Sequence, residues 1–320
     1  MALAKEPLAQ AEGLSSPKSE SAVSKPMALS IALYSLASSS MLLVNKALVQ
    51  HVASHGLVVA VQLLFTSITV YLATSWRCFG LEPVVWSWNV VKLYLIYTGL
   101  FVSGVYANMR ALAGTNVETV IVFRSCTPLA VAGLDYYFMG RELPTYRSAT
   151  ALMLLVIGSF AYVETDQEFH MSGLSAYFWV MLYFVCIVAQ MTLGKVILHD
   201  KSVSISAAVL YNNALAFFPM LCFSLALGED PRSIKTDNQT GMILLFVSCL
   251  TGTLIGYCGW WCRSLMSATA YTVVGVSNKF ITIAVNRLLW PSSTGLGGLL
   301  AVVFCVFASS MYRQAPLRNK

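Results

Sequence analysis

MSATAYTVVGVSNKFITIAVNRLLW, residues 266–290, is an apolar run long enough to cross a bilayer, and it carries Lys279 near its centre. About 20 apolar residues suffice to span a hydrocarbon core of roughly 30 Å. A lysine at mid-span costs roughly 2.5–3.5 kcal/mol on insertion scales, so something anionic must offset it. Tyr271, Gly275, Asn278 and Lys279 lie at spacings of three, four and eight, which puts them on one helical face. Gly275 lets a ligand approach the backbone, and Asn278 offers an amide donor and acceptor. The ammonium of Lys279 is a point charge suited to a phosphate. The competing reading is structural, with Lys279 paired to Asp135, Glu118 or helix-end carbonyls.

Outward from this run, the composition is that of a polytopic membrane protein. The chain is 57% hydrophobic and 11% charged, against about 25% charged in a soluble domain. Runs of membrane-spanning length fall at 27–49, 57–76, 90–109, 114–139, 147–163, 173–194, 205–227, 241–262, 266–290 and 294–312. The chain therefore reads as an all-α membrane protein of ten transmembrane helices. Residues 1–26 form a disordered tail with no signal-peptide core, 27–312 one transporter-like domain, and 313–320 a second short tail. Ten spans put both termini on one side. Arg77, Lys92, Arg141, Arg147, Lys195, Lys201, Arg263 and Arg313 share that side, which makes both termini cytosolic by the positive-inside rule. Glu164, Asp166 and Glu168 fall opposite, as does the glycosylation sequon at Asn238, whose use and chance occurrence weigh equally.

Arg124 repeats the puzzle of Lys279 in the fourth span. Val117-Glu118-Thr119, Arg124, Thr127-Pro128 and Asp135 weakly echo Ala268-Thr269-Ala270, Asn278-Lys279 and Asn286. The two spans run in opposite directions, as in a 5+5 inverted repeat with its site at the midplane. Arg124 either contacts a ligand or pairs with Asp135 or Glu118. Pro128 frees carbonyls toward a cavity. In the seventh span, Tyr211-Asn212-Asn213 places two adjacent amides in an apolar run, where they must be hydrogen-bonded. They fit either the edge of a planar base, with Tyr211 stacking, or polar glue between helices. Lys46, beside Asn45, reads as a snorkelling residue, and Trp260, Trp261 and Trp290 as interfacial belt residues.

No enzyme signature is present: HExxH, GxSxG and P-loop patterns are missing, and the eight cysteines are scattered without metal-ligand spacing. The expectation is no catalytic residue, no metal, no cofactor and no nucleic-acid partner.

Tyr211-Asn212-Asn213 and Gly275-Val276-Ser277-Asn278-Lys279 together resemble the FYNN and GALNK motifs of GDP-sugar transporters, within the nucleotide-sugar transporter family of the drug/metabolite transporter superfamily. Leu210 replaces the first Phe, and Val276-Ser277 replace Ala-Leu. Val122–Leu129 and Gly275–Trp290 look like those of plant-type GDP-fucose transporters, and the resemblance spans 27–312. It implies a ten-helix inverted repeat exchanging cytosolic GDP-sugar for lumenal GMP across the Golgi membrane, the endoplasmic reticulum being the other candidate. By resemblance, Tyr211, Asn212 and Asn213 read the guanine. Gly275, Asn278 and Lys279 hold diphosphate and sugar, with Tyr271 and Arg124 beside them, and Ser277 bears on sugar selection. GDP-fucose is favoured over GDP-mannose and GDP-galactose. A UDP-sugar or organic phosphate carrier on the same fold is the nearest alternative, and a non-transporting membrane adaptor the alternative of another class. A homodimer is compatible with the small-residue and aromatic faces, although no interface stands out.

Overall fold

The computed structural model describes residues 24–318 apart from 50, 53, 82, 85, 115–116, 165–173, 202, 232–238 and 290–295. Most of the N-terminal tail, Asp166, Glu168, Asn238 and Trp290 therefore lie outside the described residues, as do the side chains of Lys46, Glu118 and Asn286. Each expected span coincides with a helix: α1 Lys25–Val49, α2 His55–Ser75, α3 Trp88–Gly114, α4 Val117–Phe138, α5 Tyr146–Glu164, α6 Leu174–Lys201, α7 Ile205–Ala226, α8 Gln239–Leu265, α9 Ala268–Leu289 and α10 Leu296–Ser310. Six of them hold a stretch long and apolar enough to cross a membrane: α1, α2, α3, α6, α7 and α8. Helices α5 and α10 are apolar but shorter, whereas α4 and α9 carry Arg124, Asp135, Asn278 and Lys279. Among the described residues the only β pairing is an isolated bridge between Arg141 and Leu317.

Helices α3, α6 and α8 run three or more residues past their expected ends, α3 to Gly114 rather than 109. α6 continues past 194 to Lys201 and α8 past 262 to Leu265, so Lys195 and Arg263 are helical residues rather than parts of connections. Both charges have work within the bundle. Lys195 Nζ reaches the carbonyls of Arg263 and Ser264 at 3.3 and 3.2 Å, satisfying the open end of α8. Arg263 turns inward and is buried.

Sequence neighbours are not the main packing partners. α3 lies along α6, α1 along α8, α2 along α7, and α5 along α10, with α9 packed on α4 and α1. In a bilayer, helices associate through close packing and interhelical hydrogen bonds, because lipid is as apolar as leucine. Small residues make that approach possible. A Cβ on Gly158 of α5 would come within 2.6 Å of Cys305 Sγ on α10, and one on Gly56 of α2 within 2.7 Å of Ser224 Oγ on α7. Ala107 and Ala111 of α3 nest against Val180, Tyr183 and Ile187 of α6. Large apolar side chains left outside, such as Leu36, Ile96 and Phe307, face where lipid would be.

The start of α1 and the segment after α10 lie at one end of the bundle, where Met27 and Tyr312 pack into the cluster of Cys262, Met266, Ala270 and Tyr271. That end is densely tied. The Asp135 carboxylate at the end of α4 accepts from the Thr269 N–H (2.9 Å) and hydroxyl (2.7 Å) at the start of α9. Gln314 Oε1 accepts the neighbouring Ser267 N–H at 3.0 Å. The C-terminal segment is held to the α4–α5 connection by Glu142 N–H to Pro316 O and Arg318 N–H to Gly140 O. At the opposite end, the Glu229 carboxylate after α7 accepts from Gly56 and Leu57 N–H at 3.0 and 2.9 Å, and from the Ser224 hydroxyl. A carboxylate there complements the open N–H groups and dipole of α2.

Replacing Asp135 by Ala leaves the Thr269 N–H and hydroxyl unpaired in a buried setting, a loss of about 1–3 kcal/mol. The expected outcome is a lower thermal unfolding midpoint in detergent, with Asp135→Asn losing less because one acceptor oxygen remains. An unchanged midpoint for D135A would mean that this clasp does not hold α9.

Candidate functional site

Helix α8 runs three glycines, Gly252, Gly256 and Gly259, down one stripe, and beside them lies a cavity of about 400 Å³. Ligand sites usually fall at ~300–1,000 Å³. At Gly252 and Gly256 a Cβ would meet its nearest neighbours only at 3.7 and 3.9 Å, so packing does not demand glycine there. Those positions leave the space open instead. At Gly259 the fit is tighter, with Tyr271 Oη at 3.2 Å and Tyr34 Cε2 at 3.3 Å from a Cβ. Helices α1, α2, α3, α7 and α9 supply the other walls.

The cavity carries a polar band and a cationic end. Asn45 Oδ1 accepts from the Ser248 hydroxyl (2.5 Å) and from Gln62 Nε2 (3.3 Å), and Asn45 and Gln62 both line the cavity. Asn212 and Asn213 line it from α7. Asn213 Nδ2 is committed to Val209 O at 2.7 Å, while Asn212 Oδ1 is buried with no hydrogen-bond partner among the described residues. Such an atom costs free energy until a donor reaches it. Arg263 closes the end nearest Met27 and Tyr312, beside Tyr97, Trp260 and Tyr271, and among the described residues no Asp or Glu belongs to the lining.

Tyr34 and Tyr271, with ring centroids 5.3 Å apart, border this cavity and also a much smaller one beyond it. The smaller space is lined by Arg124, Thr127, Thr272 and Gly275 among others. Arg124 donates to the Tyr183 hydroxyl at 2.6 Å. Of its acidic alternatives, Asp135 serves Thr269, and the Glu118 side chain lies outside the described residues. Lys279 is half-buried, has no hydrogen bond or ion pair among the described residues, and does not line the large cavity. Asn278 Oδ1 accepts from the Ser35 hydroxyl of α1 at 2.7 Å, and the Ser277 hydroxyl donates to Val273 O in its own helix at 2.8 Å.

The predicted residues are thus divided. Asn212, Asn213 and Tyr271 meet at the large cavity; Gly275 and Arg124, with Tyr271 again, meet at the small one. Tyr211 stands outside both linings. Its ring stacks on Tyr94 and meets Trp86 edge-on, and its hydroxyl accepts the Ser87 N–H at 2.9 Å, so it ties the α2–α3 connection to α7 just before Asn212.

No family model matches the chain. It is 32% identical over 295 residues to GDP-fucose transporter 1 of Arabidopsis thaliana, an alignment covering 90% of this chain and 85% of that protein. The chain belongs to the GDP-sugar transporters. GDP-mannose transporter GONST3 of Arabidopsis thaliana is 29% identical over 89% of this chain and 77% of its own length. The GDP-mannose transporter of Chaetomium globosum is 27% identical over 91% and 79%. A solved crystal structure superposes with a TM-score of 0.70 at 11% identity, covering 89% of this chain and 95% of that one, which bears on the fold alone. Membership in a family of transporters agrees with the expectation that the chain is not an enzyme.

For a GDP-sugar transporter, the cavity also recruits residues that the sequence did not single out. Tyr34, Gln62, Tyr97 and Arg263 line it. Trp260, read from the sequence as a belt residue, is 5% exposed and packs on Tyr94 and Tyr97 inside the bundle. Gln62 carried a usable signal, since an amide in an otherwise apolar span needs a partner. Arg263 looked like one more connection charge.

Gly256 offers a direct test of the cavity. Gly256→Phe places a ring in open space rather than against a neighbour, so the transporter should fold with little change in unfolding midpoint. Uptake of a GDP-sugar into proteoliposomes should fall at least tenfold. A fully active, stable G256F transporter would show that the substrate travels elsewhere.

Proposed function

We propose that this transporter exchanges a cytosolic GDP-sugar for lumenal GMP across the Golgi membrane by alternating access, with GDP-fucose favoured over GDP-mannose and GDP-galactose. The observation that carries this reading is the cavity whose described lining holds no carboxylate and which brings together a buried cation and an Asn212 oxygen without a partner among the described residues. A purine edge supplies N–H donors for the former and a phosphate the charge for the latter. The fucose preference is supported by the relative at 32% identity that bears that name.

All ten helices cross the membrane in this reading, as two inverted halves of five. The packing supports it. Adding five to each helix number turns the α3–α6 pair into α8–α1, α4–α5 into α9–α10, α4–α6 into α9–α1, and α2–α8 into α7–α3; each of these pairs packs. The α2–α7, α4–α9 and α5–α10 pairs map onto themselves and also pack. The six long apolar helices occupy the same three places in each half. Cytosolic termini are supported by the basic residues Arg77, Arg141, Arg147 and Arg313, all near the end where the chain begins and ends.

Asn212 and Asn213 read the base, with Tyr211 setting their position through its bond to Ser87. Tyr271, Gly275, Asn278 and Lys279 take the phosphate and sugar side, with Arg124 behind Tyr271. Ser277 is the nearest hydroxyl that departs from the family pattern and bears on sugar choice. Interior cations without carboxylates make the empty carrier costly to convert between states, which favours exchange over free uptake.

Loss of one hydrogen bond to the base corresponds to about 1.4 kcal/mol, or tenfold in affinity. Asn212→Ala is therefore expected to raise the KM for the GDP-sugar about tenfold while leaving UDP-sugar competition unchanged, which narrows the preference for guanine. Equal loss for both nucleotides would turn the assignment toward a uracil or base-blind carrier. Vesicles loaded with GMP should take up GDP-sugar several times faster than empty ones, and equal rates would rule out obligatory exchange.

A further inference from the structure

We propose that Arg263 is the anion-binding residue of the large cavity, receiving the phosphate of a nucleotide whose base lies against Asn212. This rests on the nucleotide reading above but names a residue outside both sequence motifs. Arg263 is 4% exposed and lines the cavity. Its guanidinium has no carboxylate among the described residues; Nη1 donates to Tyr97 Oη at 3.0 Å, Nη2 meets Met191 Sδ at 3.5 Å, and Nε has no partner. A neutral hydroxyl and a thioether are weak substitutes for an anion around a buried cation.

The site is built for this group. The guanidinium carbon lies 4.6 Å from the ring centroid of Tyr271, 4.8 Å from that of Trp260 and 5.7 Å from that of Tyr97. Ring faces hold the planar cation in place and leave its edge for hydrogen bonding. Gly194 of α6 makes the room, since a Cβ there would lie 2.0 Å from Nη1. Lys279 does not line this cavity, so the charge that meets a ligand there comes from Arg263.

A purely structural arginine would brace α3, α6, α8 and α9 and be indifferent to ligand charge. Calorimetric titration of the full-length protein in detergent with guanosine, GMP, uridine, UMP and inorganic pyrophosphate separates the two roles. With Arg263→Gln, GMP affinity should fall at least thirtyfold and pyrophosphate binding should vanish, while guanosine affinity stays within about twofold. Arg263→Lys should recover part of the GMP affinity. Tyr97→Phe, which keeps the ring and frees Nη1, should raise the GMP-to-guanosine affinity ratio. Parallel loss of GMP and guanosine in R263Q, or a ratio that Y97F leaves at the wild-type value, would overturn the proposal. If wild type prefers UMP to GMP, the guanine reading fails alone, and the UMP-to-uridine ratio then tests Arg263 in the same way.

Discussion

The Arg263 guanidinium is held between α3, α6, α8 and α9 by three aromatic rings, a hydroxyl and a sulfur, with no carboxylate among the described residues. Taking such an ion from water costs several kcal/mol, and rings return only part of that. The neighbourhood is shaped by the requirement. Gly194 stays small to admit the group, Trp260 is drawn inside rather than left at an interface, and α8 is prolonged by a turn whose carbonyls Lys195 satisfies. Arg124 meets the same condition through Tyr183. Among the described residues, Asp135 is spent on the start of α9 and Glu229 on the start of α2. The interior is left positive and receptive to an anion.

The helices were legible because each is announced by an apolar run, and Lys279 and Asn212-Asn213 stood out because polar groups in such runs need partners. Spatial pairing was not legible. Nothing local states that α3 will lie along α6, since that depends on Ala107 and Ala111 finding Val180 and Tyr183 about 75 residues away. Arg263 was hidden for a related reason. A cation at the last turn of a span resembles any connection charge until the surrounding rings are in place, and two of those come from other helices, Tyr97 from α3 and Tyr271 from α9. Tyr211 shows the converse. Its adjacency to Asn212 in sequence suggested a shared ligand, yet successive helical residues point about 100° apart, and its ring packs against Tyr94 while Asn212 faces the cavity.

The division of the interior at Tyr34 and Tyr271 gives the cations distinct duties. A diphosphate carries more charge than one guanidinium neutralises, and Arg124 lines the smaller space just past this pair of rings. Gly259 keeps the pair uncrowded, because a Cβ there would come within 3.2 Å of the Tyr271 hydroxyl and 3.3 Å of Tyr34 Cε2. The two ends of the bundle are tied by different helices, α4 to α9 at one and α2 to α7 at the other. Opening one end therefore need not release the other. The charge of the ligand, rather than its volume, is then the quantity able to favour one arrangement, because only a ligand with different interaction energies in the two states shifts their balance.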